Sequence, residues 1–263
     1  MIKFCPLFSG SSGNSIFIKY KDTSVLVDAG LSKKKIVEEL AKIQEKPENL
    51  DAILVTHEHS DHTSGLGVME RGYNIPIFAN RNTWFRIPSS IGKIREENIK
   101  TFNTNERFYI KDMEIFPFRT LHDAVDPVGF SFYLDTKKIS TLTDTGELNQ
   151  DILDNIKGSD LLLLESNHDM EMLLNGSYPW PLKNRIRGKY GHLCNSTCAN
   201  AVVDMIEEGL RVLVLGHLSQ DNNLPSLAFS TIKERIEQCG YSVGKDILVK
   251  VAKREGNNRP IML

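Results

Sequence analysis

The stretch Thr56-His57-Glu58-His59-Ser60-Asp61-His62 decides how the rest of the chain is read. It holds three of the chain's seven histidines and a carboxylate within a few residues. It follows directly on Ala52-Ile53-Leu54-Val55, a short apolar run with the character of a buried strand. His57 and His59 lie two apart, so an extended strand end points both rings the same way. Asp61 and His62 fall where a helix begins, ahead of the Gly65-Leu66-Gly67 turn. Imidazole and carboxylate donors together suit zinc, manganese or iron. The alternative is a solvated polar loop after a strand, and the spacing of four such donors argues against it.

The chain has 263 residues, 40% hydrophobic and 25% charged, with a net charge of −2. That length supports a sizeable core. No global basic field exists, so any nucleic-acid binding needs a local patch. The start Met1-Ile2-Lys3-Phe4-Cys5 has no long apolar region, and no later run is long enough for a membrane helix. A cytoplasmic protein without membrane contact is expected. Cys5, Cys194, Cys198 and Cys239 read as reduced, buried thiols. No repeat, low-complexity segment or linker interrupts the sequence, so residues 1–263 are expected to form a single domain.

Working outward, residues 2–8, 14–20 and 24–28 read as strands. Ser9-Gly10-Ser11-Ser12-Gly13-Asn14-Ser15 between the first two is either a plain turn or a loop whose amides and hydroxyls face an anion. Ser32 to Gln44 is a helix capped by Ser32, with Ile36, Val37, Leu40 and Ile43 on one face. Helices are expected near 63–72, around Trp84, over 147–156, from Asn195 or Ser196 to about Glu208, and over 225–238. Strands are expected at 75–79, 99–103, 107–110, 113–120, 128–134, 139–143, 160–164, 212–215 and 247–252. The tail from Arg254 to Pro260 looks loose.

One pattern connects these elements. His122, Asp144, Glu165 and His217 each stand just after an apolar strand, as the 57–62 cluster does. Ligands of α/β sheets gather beyond strand ends, where loops converge.

The His57-x-His59-x-Asp61-His62 signature resembles the metallo-β-lactamase superfamily of metal-dependent hydrolases. Further matches are the Thr143-Asp144-Thr145-Gly146 turn and Gly216-His217-Leu218-Ser219. The resemblance implies a first metal on His57, His59 and His122, a second on Asp61, His62 and His217, and Asp144 bridging them. It implies two divalent ions, zinc or manganese with iron also fitting, and hydrolysis by a metal-bound hydroxide. Asp61 is then both a ligand and a catalytic residue. It also implies an α/β fold, the four-layer αββα sandwich of the metallo-β-lactamase type.

The substrate has to be read elsewhere. Lys183, Arg185, Arg187 and Lys189 follow one another without an intervening acid, flanked by Tyr178, Trp180 and Tyr190. They are either a solvated helix face or a patch for phosphates. Gly191-His192-Leu193-Cys194-Asn195 resembles an element of tRNA-processing members, whose histidine assists phosphodiester cleavage; the alternative is a histidine that merely caps a helix. Together with Glu165-Ser166-Asn167-His168-Asp169 and Ser219-Gln220-Asp221-Asn222-Asn223, these stretches are similar to the YycJ/WalJ branch, whose members are exonuclease-like. The resemblance implies a metal-dependent DNA exonuclease, with DNA preferred over RNA. His192 is then expected to be catalytic, and Ser12, Asn14 and Ser219, with Lys183, Arg185 and Arg187 of the basic run, to be substrate-binding. Cys194 stands where the related pattern usually has serine. His168 either lines the site or faces solvent.

Three other readings compete. A glyoxalase-II-like thioesterase would continue into a helical domain, whereas residues 218–263 read as one helix and one strand. A small cyclic or alkyl phosphodiesterase shares the chemistry but not the need for a basic patch. A scaffold keeping metals only for folding would not need an open ligand set.

Overall fold

The computed structural model describes all 263 residues, Met1–Leu263. Two seven-stranded sheets form. The first begins with β1 (Ile2–Phe8), β2 (Ser15–Tyr20) and β3 (Thr23–Val27), an antiparallel meander. It continues in parallel through β4 (Ala52–Leu54), β5 (Ile77–Asn80) and β6 (Ile99–Phe102). The second contains β7 (Phe108–Ile110), β8 (Met113–Arg119), β9 (Val128–Leu134), β10 (Lys137–Leu142), β11 (Leu161–Glu165), β12 (Val212–Gly216) and β13 (Leu248–Val251) in the reverse of that order. A short β14 (Ile261–Met262) returns to pair with β1. Contacts divide the chain into two compact units: Met1–Pro117 with Ala124–Val128 and Lys253–Leu263, and Phe118–Asp123 with Gly129–Ala252. No helix is long and apolar enough to cross a membrane.

In the first unit the parallel strands require crossover helices. These are α1 (Lys33–Lys42) between β3 and β4, then α2 (Ser60–Thr63) and α3 (Leu66–Tyr73) between β4 and β5, followed by α4 (Arg81–Arg86). Ile36 and Leu40 of α1 join Leu26, Ile53 and Ile77 in one buried cluster. A fully buried side chain of this size contributes about 1.5–3 kcal/mol. The helix expected over 63–72 is two helices, because the Gly65 amide turns away to donate to the Ala29 carbonyl at 2.7 Å. Gly30 sits where a Cβ would lie 1.6 Å from the Asp61 carbonyl oxygen. Only glycine permits that approach, which pins the end of β3 against the histidine stretch.

In the second unit β10, β11, β12 and β13 run parallel, with α5 (Gln150–Ile156), α6 (Met170–Asn175), α7 (Trp180–Ile186), α8 (Asn195–Glu207) and α9 (Pro225–Gln238) in the connections. Leu161 to Leu164 are all fully buried, which explains why this strand reads as a continuous apolar run. The register pairs Leu142 with Leu164 and Glu165 with Gly216. Residues just past these strands therefore meet at one edge.

Three expectations need correction. The tail is not loose: β14 pairs with β1, and the Asn257 amide donates to Glu39 at 2.7 Å. The short Ile261-Met262-Leu263 run carries no periodicity, while the unpaired edge of β1 supplies the reason to pair. The cap of α8 is Cys194, without a side-chain cap bond. Asn195 instead turns inward, accepting from Ser166 Oγ at 2.6 Å and donating to Asn223 at 3.0 Å. All four cysteines are free, but only Cys5 and Cys198 are buried, with Cys239 exposed.

Candidate metal centre

In the first unit the site grows from the end of β4. Asp28, one residue past β3, has φ 62°, a left-handed conformation that a short polar side chain tolerates. Its carboxylate accepts from the Thr56 amide and the Thr56 hydroxyl, both at 2.8 Å, and from His62 Nδ1 at 2.7 Å. Since Thr56 Oγ1 donates to Asp28, it accepts from His57 Nδ1 at 3.0 Å. Both rings are thus protonated at Nδ1 and present Nε2 lone pairs. Carboxylate or hydroxyl groups behind imidazole ligands are the usual way of fixing their tautomer and aim. His57 Nε2 lies 3.0 Å from His59 Nδ1, and His62 Nε2 lies 3.5 Å from Asp61 and 3.0 Å from the Asn14 amide nitrogen. His57 and His62 are almost fully buried. Burial holds the Asp28 carboxyl above the usual carboxylate range, against the opposing pull of His62 and Thr56.

In the second unit His122, Asp144, Glu165, His192 and His217 converge past β8, β10, β11 and β12. Asp144 and His217 have φ 57° and 53°. Such backbone costs roughly 1–3 kcal/mol per residue and persists where the surroundings hold it in place. One oxygen each of Asp144 and Glu165 and one ring nitrogen each of His192 and His217 lie within 4.8 Å of one another. His217 Nδ1 is 3.0 Å from Asp144 Oδ2. His122 Nδ1 donates to the Gly191 carbonyl at 3.0 Å, which leaves Nε2 as a ligand atom 3.8 Å from Asp144 Oδ1. Burial lowers the pKa of His122, as a metal ligand needs. His192 differs. Burial would lower it too, but Glu165 at 2.7 Å, Asp144 and Asp123 hold it up to about 9. Burial thus favours the neutral form of His122, while the carboxylates around His192 favour its imidazolium.

The donor set fits divalent metal ions. Each unit presents buried imidazole nitrogens whose far side is hydrogen-bonded, with a carboxylate alongside. The sequence assigns no role to Asp28 or Thr56, and places Glu165 at its strand end without a role. Asp28 and Glu165 obey the same strand-end rule as the ligands, and that signal was available in the sequence. Replacing Asp28 with Ala should lower metal affinity by about 10–100-fold through loss of His62 orientation. Competition with a chromogenic chelator measures it, and unchanged affinity would remove Asp28 from this role.

The substrate residues separate. Asn14 is buried, accepts from the Gly10 amide at 2.9 Å and reaches His62, while Ser12 is exposed at the tip of the same turn. Ser219 is half-buried and its hydroxyl accepts from the Asn222 amide at 3.2 Å. Lys183 is a correction: it is 6% exposed, and its ammonium donates to the carbonyls of Leu174 and Gly176 at 2.8 and 2.7 Å. Those carbonyls hold it inside, so it belongs to no surface patch. Arg185 is exposed and donates to Asp123 at 2.6 Å; Arg187 and Lys189 are exposed. His168 does not face solvent. It is 1% exposed, neither ring nitrogen has a hydrogen-bond partner, and burial lowers its pKa to about 4.

Strand-end histidines and aspartates on two mixed sheets define a metal-dependent hydrolase of the metallo-β-lactamase fold. The metallo-β-lactamase fold protein YhfI from Bacillus subtilis superposes with a TM-score of 0.73 over 100% of both chains at 15% identity. The beta-lactamase superfamily domain model matches residues 23–218. Exodeoxyribonuclease WalJ of Streptococcus pneumoniae serotype 2 (strain D39 / NCTC 7466) is 41% identical over 249 residues, 94% of this chain and 93% of that protein. Exodeoxyribonuclease YycJ of Bacillus anthracis is 38% identical over 244 residues, 93% and 92% of the two chains. The chain belongs to the metallo-β-lactamase superfamily, in the YycJ/WalJ branch that these two relatives represent.

Proposed function

We propose that the protein is a cytoplasmic, dinuclear metal-dependent DNA exonuclease. The observation that carries this reading is the near full-length likeness to two proteins named exodeoxyribonucleases. His57, His59 and His122 would hold one ion, Asp61, His62 and His217 the other, with Asp144 shared. Zinc or manganese suits this donor set. Bound divalent ions supply Lewis acidity and a nucleophile at neutral pH. The remaining work falls to the chain's own residues. Asp61, half-exposed beside His62, accepts a proton from the attacking water. His192, kept protonated by Glu165, donates its proton to the leaving oxygen. Asn14 orients His62 and Asp61, and Ser12 and Ser219 are proposed to contact the substrate. The two compact units are proposed to act as one domain, since the family model runs from residue 23 to 218 across both.

The test is a panel of 5′- and 3′-labelled DNA and RNA, single- and double-stranded, with manganese or zinc supplied. Stepwise release of nucleotides from DNA is expected. A glutathione thioester turned over far better than any nucleic acid would overturn the reading.

Arg185 and Arg187 are the proposed phosphate contacts of this segment, with Lys183 removed from that set. Replacing both with Ala should weaken polynucleotide binding and reduce the slope of log K against log salt by about one to two. An unchanged slope in a binding titration across salt concentrations would exclude these two residues.

A further inference from the structure

Trp180 opens α7 and is 59% exposed. An indole carries a large apolar face, and more than half of this residue stands in water. This one is also held in place. The Lys183 ammonium lies 5.2 Å from the Trp180 ring centroid. That cation is fixed from below by the Leu174 and Gly176 carbonyls. A buried cation against one face orients the ring and leaves the rest of it to solvent.

The same segment is tied to the site residues of its unit. The His192 amide donates to the Ile186 carbonyl at 2.8 Å, and His122 Nδ1 donates to Gly191 at 3.0 Å. The Asp123 amide donates to Tyr190 at 3.1 Å, and Arg185 bonds the Asp123 carboxylate at 2.6 Å. A Cβ on Gly146, two residues past Asp144, would lie 2.3 Å from the Gly188 carbonyl oxygen, so this turn packs directly on the Asp144 loop. Arg187 and Lys189 are exposed along it.

We infer that Trp180, braced by Lys183, is a stacking face for an unpaired nucleobase of the DNA substrate. The inference rests on the nuclease reading and adds a preference for single-stranded or frayed ends. An aromatic face with nearby cations is how single strands are held without sequence readout, because every base has a π-face. Inside a duplex those faces are covered by neighbouring bases, so an unpaired base is the one that can enter and stack along the ring. Lys183, first read as a phosphate contact, acts instead as a positioning residue under the ring.

The chain has two tryptophans, Trp84 and Trp180, which makes the test direct. The metal-loaded protein is titrated with a short phosphorothioate oligothymidylate while tryptophan fluorescence is read. Trp84→Phe, which keeps only Trp180, should show saturable quenching; Trp180→Phe, which keeps only Trp84, should not. In kinetics, Trp180→Ala should raise KM for DNA with a single-stranded tail by about tenfold. The effect on kcat should be small, and KM for blunt duplex should move less. Quenching confined to Trp84, or a KM increase equal on tailed and blunt DNA, would overturn the stacking assignment. A wild-type protein that hydrolyses no nucleic acid would instead overturn the nuclease reading itself.

Discussion

His192→Ala should lose about 10²–10⁴ in kcat on DNA while keeping its metal content. Its surroundings of carboxylates separate this histidine from the proposed ligands. Its Nδ1 is 2.7 Å from Glu165 Oε1, whereas His122 uses its Nδ1 on a backbone carbonyl. Glu165, Asp144 and Asp123 together keep the ring charged, which suits a proton donor rather than a metal ligand. The capping alternative fails on structural grounds, since the cap residue of α8 is Cys194 and no side-chain cap bond is made there. In phosphodiester hydrolysis the leaving oxygen gains negative charge, and a positioned imidazolium supplies the proton. The loss should therefore shrink for an aryl phosphodiester, whose leaving group needs little protonation. Glu165→Gln should follow the same pattern more weakly, because the amide holds the ring without its charge. Unchanged turnover on DNA, or metal lost from the His192 variant, would contradict this role.

Asp144→Asn should reduce metal content at both proposed positions and lower activity by about 10³-fold or more, since metal binding supplies several kcal/mol of transition-state stabilisation. Asp144 is 2% exposed and approaches His217 at 3.0 Å, His192 at 3.7 Å and His122 at 3.8 Å. Asparagine keeps the left-handed turn at φ 57° but lacks the charge. Elemental analysis of gently purified protein should approach two transition-metal ions per chain in the wild type and well below that in the variant. A wild-type stoichiometry that never exceeds one after reconstitution would contradict the dinuclear proposal. A variant with full metal content would remove Asp144 from the shared position.

The legible part of the site was the part written in local sequence. Four donors between His57 and His62 need only a strand end and a helix start to face one way. His122, Asp144 and His217 were legible because each ends a strongly apolar strand, and apolar runs are visible residue by residue. Asp28 has the same placement but stands alone after β3, with no second donor near it in sequence. The histidine stretch selects it only when β3 and β4 pair in parallel, Val27 beside Leu54. Glu165 was seen at its strand end, yet its partner His192 is 27 positions away and joins it only through the fold.

Lys183 shows the same boundary from the other side. In sequence it is one of four basic residues with no acid among them, and charge alone cannot say which of these reach water. The carbonyls of Leu174 and Gly176 decide it, because a buried ammonium needs acceptors and these two are within 2.8 Å. Apolar periodicity and donor spacing are local properties, so the sequence by itself determined most strands, most helices and the histidine stretch, while the assignment of ligands to two ions follows from the family resemblance and stays a proposal. Which polar groups are buried, what orients each imidazole and which cation becomes a brace depend on contacts between distant segments. Those were decided by the tertiary structure, where desolvation makes most buried polar groups find a partner.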